Sequence, residues 1–387
     1  MGITGSIAAY KGGELVRELR REGAEVKVVM TAAAQEFVTP LTFQTLSGHP
    51  VYTDLFGLSG QWVPEHISLA QWGDLLLIGP ATADSISKLA SGLADDLLTS
   101  VCLASPAPKV ISPAMDSGMW ENPLLQSNVT KLKEFGFHFI EPGFGGLASG
   151  KIGKGRFAEI GEILDKLKVI LYPKKDLLGK KVLVTAGRTE EDLDPVRVLT
   201  NRSSGRMGYS LAQVARWRGG EVTLISGPSY LPPPFGVNLR RVRTTEEMRE
   251  RTKGSFPAAD ILVMAAAVAD FQPQKVPQKK LSRGELSLKL VPTSDILKEV
   301  AEEKGDKFLV GFALETGDGL SRAKVKLQEK SLDLIVLNDP TQEGAGFEVE
   351  TNVVTILWRD GRIEHLPKLP KLEVAERIWD RIGESLR

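Results

Sequence analysis

Short, mostly apolar runs alternate along this chain with longer stretches whose apolar positions recur every three or four residues. In the first half the runs are VKVVM (26–30), LLLIG (75–79), KVIS (109–112) and FHFI (137–140). Between them, residues 8–21 place Leu15, Val16 and Leu19 at helical spacing. Residues 84–90, 95–104 and 123–135 read the same way. A period of 3.6 marks a helix with one buried stripe, whereas an unbroken apolar run marks a strand covered on both faces. Their alternation predicts a parallel sheet between two helical layers.

The second half repeats the pattern. Strands are expected at KVLVTAG (181–187), EVTLISG (221–227), ADILVMAAA (259–267), FLVGFA (308–313) and LDLIVLN (332–338), with a helix over 208–218. VVTILW (353–358), an Asp-Gly turn and RIEHL predict a hairpin, and a last helix starts near Pro370. The string LYPKKDLLGKK ends one helix and precedes a new strand, so the boundary is placed at residue 175. The expected fold is α/β, with two three-layer parallel-sheet domains, 1–175 and 176–387. GPSYLPPPFG (227–236) reads as a Pro-rich loop within the second.

The opening is short for a central strand, since only Gly2 and Ile3 precede the turn Thr4-Gly5-Ser6. So brief a strand is expected to leave neighbouring backbone groups unpaired, which suggests residues missing upstream of Met1. MGITGS also fits a loose lipidation pattern, but it reads better as a strand end entering a glycine turn.

Composition narrows the function. At 387 residues, two or three domains are expected. Lys+Arg and Asp+Glu both total 49, so no net field attracts nucleic acid or an anionic membrane, and any anion must be caught locally. One cysteine, Cys102, rules out an internal disulfide and a cysteine metal cluster. With no apolar run near the roughly 20 residues of a membrane span, a cytoplasmic enzyme is the default.

Several strings carry candidate chemistry. TGSIAAYK (4–11) runs from a strand through small residues into a helix, so its free N–H groups suit a phosphate, although a plain tight turn fits equally. It is not GxGxxG, which argues against a nicotinamide dehydrogenase. GGLASGKI (145–152) resembles a phosphate loop up to GxxxxGK, but Ile152 stands where Ser or Thr should hold magnesium, so it reads as a mobile glycine-rich loop. The hydroxyls and the Asp95-Asp96 pair of PATADSISKLASGLADDLLTS (80–100) suit either a ligand crevice or helix caps. His66 alone suits a capping or surface role. NRSSGRMG (201–208) has anion-site chemistry, and AAAVADF (265–271) ends a strand with small residues and one acid. Lys279, Lys280, Arg283, Lys326 and Lys330 are solvated lysines and arginine, or a converging polyphosphate site.

Together these strings resemble the bifunctional coenzyme A biosynthesis family, phosphopantothenoylcysteine decarboxylase fused to phosphopantothenate–cysteine ligase. The resemblance rests on TGSIAAYK, MTAAAQEFVTP, HISLAQWGDLLLIGPATADSISKLASGLADDLL and PAMDSGMWENP in the first half. In the second it rests on VLVTAGRTEEDLDPVRVLTNRSSGRMG, AAAVADF, VGFALET and LDLIVLND. It implies a flavodoxin-like FMN-binding domain followed by a Rossmann-like ligase domain. Gly5, Ser6 and Ile7 would meet the flavin phosphate region, Thr31 and the stretch from Ser85 to Ser91 would lie along the cleft, and His66 matches the catalytic histidine. FMN would oxidise the cysteinyl end to a thioaldehyde, carbon dioxide would leave, and a returned hydride would give 4'-phosphopantetheine.

Two positions depart from the family pattern. Asp116 stands where the family has an Asn that binds the substrate carboxylate, and an aspartate there would repel it unless protonated or turned to donate through its backbone. Ser149 stands where the family has an acidic cysteine, and a hydroxyl is a poor proton donor. An active ligase beside a degenerate flavin domain is therefore the rival reading; a flavin-binding regulatory subunit is another. In the ligase half, the resemblance implies activation of the 4'-phosphopantothenate carboxylate by CTP as an acyl-cytidylate, then attack by the cysteine amine. Asn201 matches the residue supporting that step. Asp270, Lys280, Ser294, Asp295, Ile296, Leu297, Phe312, Lys326 and Lys330 match the nucleotide site, with Mg²⁺ and lysines neutralising triphosphate; the metal ligands stay open. Family precedent implies a homo-oligomer, a dodecamer of flavin-domain trimers and ligase-domain dimers. Stretches 145–155 and 272–282 are expected to act as lids; equal protease resistance with and without ligands would count against this.

Overall fold

The apolar runs become the inner strands of two separate sheets in the computed structural model, which describes residues 1–56, 64–283, 287–339, 341–342, 344, 346 and 349–386. The chain divides into two units, Met1–Leu171 and Tyr172–Arg387. The boundary expected at 175 falls just inside the second.

The strands of the first unit are β1 (Gly2–Ile3), β2 (Val28–Met30), β3 (Val51–Tyr52), β4 (Leu76–Ala81), β5 (Lys109–Pro113), β6 (His138–Phe139), β7 (Gly143–Gly146) and β8 (Ile152–Arg156). Six form a parallel sheet in the order β3-β2-β1-β4-β5-β6. This 3-2-1-4-5-6 order is doubly wound, with its switch point between β1 and β4. Helices Ala83–Ala90, Leu97–Ala104 and Pro123–Glu134 supply core side chains on one face. Ala9–Arg21 and Ile160–Leu171 pack on the other. Short as β1 is, the backbone beside it is paired: Val29 N–H donates to Met1 O, and the Met1 ammonium donates to Lys27 O at 2.7 Å.

Much of the glycine-rich stretch expected as a loop is a β-hairpin instead. β7 and β8 pair antiparallel from Gly143 opposite Arg156 to Gly146 opposite Ile152. Its glycines have a packing reason. A Cβ on Gly153 would sit 2.7 Å from Ser117 Cβ, and one on Gly155 would collide with Met115 O. Without side chains there, β8 lies flush on the backbone leaving β5, where Met115 N–H donates to Gly155 O at 2.9 Å.

The second unit holds β9 (Lys181–Ala186), β10 (Glu190–Asp192), β11 (Val198–Thr200), β12 (Glu221–Ser226), β13 (Asn238–Arg241), β14 (Ile261–Met264), β15 (Phe271–Pro273), β16 (Leu290–Pro292), β17 (Phe308–Leu314), β18 (Leu334–Asn338), β19 (Thr351–Asn352), β20 (Val354–Trp358), β21 (Ile363–His365) and β22 (Leu369–Pro370). Its main sheet runs β13-β12-β9-β14-β17-β18-β20-β21, parallel through β18 and antiparallel beyond. The parallel part repeats the 3-2-1-4-5-6 order, and β20–β21 is the expected hairpin. Helices Arg206–Trp217 and Lys371–Ser385 pack together, with Trp379 Nε1 donating to Leu211 O at 2.9 Å. No helix among the described residues is long and apolar enough to cross a membrane.

Candidate functional site

In an open doubly wound sheet, ligands lie beyond the carboxyl ends of the strands at the switch point. In the first unit that place is built by Thr4. Its buried hydroxyl donates to Pro80 O at 2.8 Å and accepts from Thr82 N–H at 2.9 Å, joining the ends of β1 and β4. The turn that follows leaves the N–H groups of Gly5 and Ile7 without a partner among the described residues. Ser6 Oγ donates to Ala114 O at 3.3 Å, which brings the end of β5 beside the same turn. A Cβ on Gly5 would lie 2.5 Å from Ala33 Cβ, so this turn passes too close to helix Ala32–Gln35 for a side chain. Thr31 caps that helix through Ala34 N–H and donates its own N–H to Ile3 O. Free donors, small residues and a following helix form a cradle that fits the phosphate of a flavin nucleotide.

The remaining residues of the first unit separate. Ser85 is buried in the first turn of Ala83–Ala90, with its Oγ 3.1 Å from that of the cap Thr82. Ser91 is the C-cap of the same helix. At 1.5 Å per residue it lies about 9 Å further from the crevice, so Ser85 joins the site and Ser91 does not. Asp96 is a helix cap, accepting from Thr99 N–H at 2.8 Å, whereas Asp95 pairs with Lys88, so the capping reading holds for Asp96 alone. His66 is the second residue of Glu65–Trp72, and its Nδ1 is buried with no partner among the described residues. An orphaned polar atom of that kind calls for a ligand or a water. Asp116 and Ser149 are in direct contact, with Ser149 Oγ donating to Asp116 Oδ2 at 2.7 Å. That bond, then the one from Gly118 N–H, holds the Asp116 carboxyl below the ordinary carboxylate range.

In the second unit the switch point lies between β9 and β14. Ala267 N–H donates to Gly187 O at 2.8 Å, prolonging the pairing of the two strands past their ends. Asn201 Nδ2 donates to Ala267 O at 2.5 Å, while its Oδ1 accepts from Ser203 N–H. The loop 201–205 therefore lies across the ends of both strands. Gly208 lets the following helix approach, since a Cβ there would meet Ala186 Cβ at 2.5 Å.

Asp270 is exposed, and its carbonyl accepts from Thr293 N–H at 3.0 Å, which seats Ser294 beside it. Asp295 caps Ile296–Ala301 and takes Lys330 Nζ at 2.8 Å. Ile296 is buried and packs in the hydrophobic core, with Leu297 partly buried against it. Phe312 is half-buried on β17 opposite Val336. Lys326 pairs with Glu315 at 2.6 Å, and Arg322 joins from the same helix. Burial alone would raise the Glu315 carboxyl, but Lys326 and Arg322 outweigh it and the shift is downward. Lys326 and Lys330 are thus each held by a carboxylate rather than by each other. Lys280 is exposed, and no bond among the described residues joins it to Asn201 or Asp270.

Two groups of supporting residues escaped the sequence reading. Ala269 N–H donates to Thr189 Oγ1 at 2.8 Å; Thr189 Oγ1 lies 3.1 Å from Thr245 Oγ1; Thr245 donates to Glu191 Oε1 at 2.7 Å. This buried chain fixes the backbone next to Asp270. The buried Asp194 carboxylate gathers Arg197 and accepts from Leu281 N–H at 3.1 Å, anchoring the segment that carries Lys280. The string TAGRTEEDLDPVR contained Thr189, Glu191, Asp194 and Arg197, but no spacing rule distinguished their roles from surface polarity.

Known proteins place both units. The Flavoprotein family matches residues 1–171, and the family described as DNA/pantothenate metabolism flavoprotein C-terminal domain matches residues 177–386. The coenzyme A biosynthesis bifunctional protein CoaBC of Bacillus subtilis (strain 168) is 46% identical over 387 residues, covering 98% of this chain and 95% of the relative. Its Escherichia coli (strain K12) counterpart is 41% identical over 388 residues, covering 99% and 95%. The solved C-terminal domain of a CoaBC protein is 39% identical, covering 55% of this chain and 98% of that one, with a TM-score of 0.48. Similarity that runs unbroken through both doubly wound units shows that the chain belongs to the family of bifunctional coenzyme A biosynthesis proteins, α/β enzymes that join a flavoprotein decarboxylase half to a ligase half.

Proposed function

We propose that the second unit ligates cysteine to 4'-phosphopantothenate at the expense of CTP, and that the first unit decarboxylates the product, phosphopantothenoylcysteine, to 4'-phosphopantetheine with FMN. The observation that carries this reading is the 46% identity spanning both halves. Each half also has an anion-suited turn at the switch point of its sheet.

In the first unit, Gly5 and Ile7 N–H would hold the FMN phosphate, with Ser6 Oγ exchanging Ala114 O for a phosphate oxygen, while Thr31 and Ser85 would line the crevice. Bound FMN supplies a reversible two-electron oxidation of the cysteinyl end. His66 Nδ1, lacking an internal partner, is left to bond the substrate and move a proton there. Asp116 and Ser149 flank the place where the substrate carboxylate enters.

In the second unit, the carboxylate of 4'-phosphopantothenate is activated as an acyl-cytidylate with release of pyrophosphate. Asn201, with one Nδ2 hydrogen on Ala267 O, donates the other toward the developing oxyanion, which is worth most in a preorganised, water-poor site. Lys280, Lys326 and Lys330 neutralise the triphosphate together with Mg²⁺, and the two paired lysines exchange Glu315 and Asp295 for phosphate oxygens. Asp270, Ser294, Asp295, Ile296, Leu297 and Phe312 shape the nucleotide pocket; Ile296 acts from the core, by holding Leu297 and Asp295 in place. The enzyme works in the cytoplasm as a homo-oligomer, a dodecamer of flavin-unit trimers and ligase-unit dimers.

Mass spectrometry of a reaction containing 4'-phosphopantothenate, cysteine, CTP and Mg²⁺ tests this reading. Phosphopantetheine is the expected product. Accumulation of phosphopantothenoylcysteine alone would instead support the rival, a working ligase beside a degenerate flavin unit. That rival draws on the Asp116–Ser149 contact, which occupies both groups in each other. Absence of both products would overturn the proposal.

A further inference from the structure

The bond between Ser149 and Asp116 joins segments 33 residues apart, the end of β5 and the tip of the β7–β8 hairpin. The base of that hairpin is already seated by Met115 N–H on Gly155 O and by the close approach of Gly153 to Ser117. Its tip is a closed turn, in which Leu147 N–H donates to Lys151 O at 2.8 Å and Gly150 N–H to Leu147 O at 2.9 Å. The tip is exposed, and Ser149 is its side-chain tie to the sheet edge among the described residues. The same bond acts on the carboxylate. Asp116 Oδ1 accepts from Gly118 N–H at 2.9 Å and Oδ2 from Ser149, so both oxygens are engaged. Lys151, on the same turn, adds a favourable charge. Ala114, two residues before Asp116, accepts from Ser6 of the β1 turn, so the whole arrangement borders the crevice.

We propose that Asp116 and Ser149 work as one unit: Asp116 is a positioning residue that latches the hairpin tip against the edge of the crevice, and Ser149 in turn covers the charge of Asp116 so that an anionic substrate carboxylate is tolerated beside it. The two departures from the family pattern then compensate each other, since a carboxylate at 116 needs a donor at 149. The charge-covering half rests on the decarboxylase reading; the latch does not.

Hydrogen–deuterium exchange on the full chain without added ligand tests the latch. Asp116→Ala and Ser149→Ala are each expected to raise exchange at residues 147–151 several-fold. The double variant should exchange no faster than Asp116→Ala, because the Ser149–Asp116 bond is already lost there. Asp116→Asn can keep its oxygen on Gly118 N–H and donate from its amide nitrogen to Ser149 Oγ, so it should keep most of the protection. Unchanged exchange, or additive effects, would overturn the latch. For the charge-covering role, decarboxylation of phosphopantothenoylcysteine is measured in the same proteins. Ser149→Ala should raise KM about tenfold more than it lowers kcat, and adding Asp116→Asn should restore KM. A restored kcat with unaltered KM would sink that role. If every protein, the parent included, fails to decarboxylate while the exchange data show coupling, the decarboxylase reading fails and the latch stands.

Discussion

The first unit reaches its opening helix from β1 through residues 4–8, whereas the second interposes residues 187–205, with the β10–β11 pair, between β9 and its own opening helix. Both sheets otherwise follow the same 3-2-1-4-5-6 order around the same kind of switch point. The short connection leaves bare N–H groups at a tight turn, a cradle for a phosphate that arrives on a preformed cofactor. The long one brings a side-chain amide, Asn201, across two strand ends, and under the proposed function that amide is the directed donor for a reacting carboxylate. One topology therefore supports two chemistries because the chemistry resides in the connections at the carboxyl edge.

The largest effect should come from breaking what is peculiar to the second unit's core. Arg218 is almost fully buried between Asp176 and Asp380. Removing it as Arg218→Leu strands two carboxylates and should cost the second unit about 3–5 kcal/mol in urea unfolding. The first unit's transition should stay in place, and a joint loss would mean that the units do not unfold separately. Acid should reach the same contact. Burial pushes both carboxyls up, but Arg218, and Lys174 at Asp380, outweigh it, so both titrate below their ordinary values. Their stabilisation is present above the unfolded pKa of about 3.9 and is lost as pH falls through the folded values.

Next in size are variants that should silence one half only. Gly5→Val drives a branched side chain into Ala33 and should abolish flavin absorbance in the purified protein while CTP-dependent pyrophosphate release continues. Asn201→Ala should do the reverse, lowering ligase turnover by about 10²-fold with the flavin spectrum unchanged. Crossed effects from either would break the division of labour between the two edges.

Smaller still is an alkaline effect confined to the second unit. Lys371 is buried and donates to Gly346 O, and burial, then the nearby Arg206 charge, brings its pKa down to about 8 despite Glu350. Between that value and the unfolded one of about 10.4, the unfolded chain binds more protons, so stability should rise with pH. Thermal melts of Lys371→Met across this range should lack the rise. The mildest change, Lys280→Gln, should raise the KM for CTP several-fold and leave both melting transitions in place.

Legibility followed the physical range of each signal. The long apolar strands and the amphipathic helices were readable because burial on two faces or on one writes itself into local periodicity. The hairpin at β7–β8 was not, since its glycines answer to the backbone of Met115 and the side chain of Ser117 and carry no period of their own. Asp95 and Asp96 read equally as caps or crevice residues until Thr99 and Lys88 were seen to claim them. Ser85 and Ser91 looked like one segment, yet a helix carries the second away from the crevice.

The sequence by itself determined the two doubly wound units, the strand ends at which small residues cluster, and, through strings that run the length of the chain, the family. These are matters of local pattern, repeated often enough to be unambiguous. Only the tertiary structure decided that Asp116 and Ser149 meet, that Asp194 anchors the segment of Lys280, and that a chain from Glu191 through Thr245 and Thr189 steadies the backbone beside Asp270. Each of those contacts is a short-range bond between groups distant along the chain, and a hydrogen bond at 2.7 Å leaves no trace in the spacing of the residues that make it.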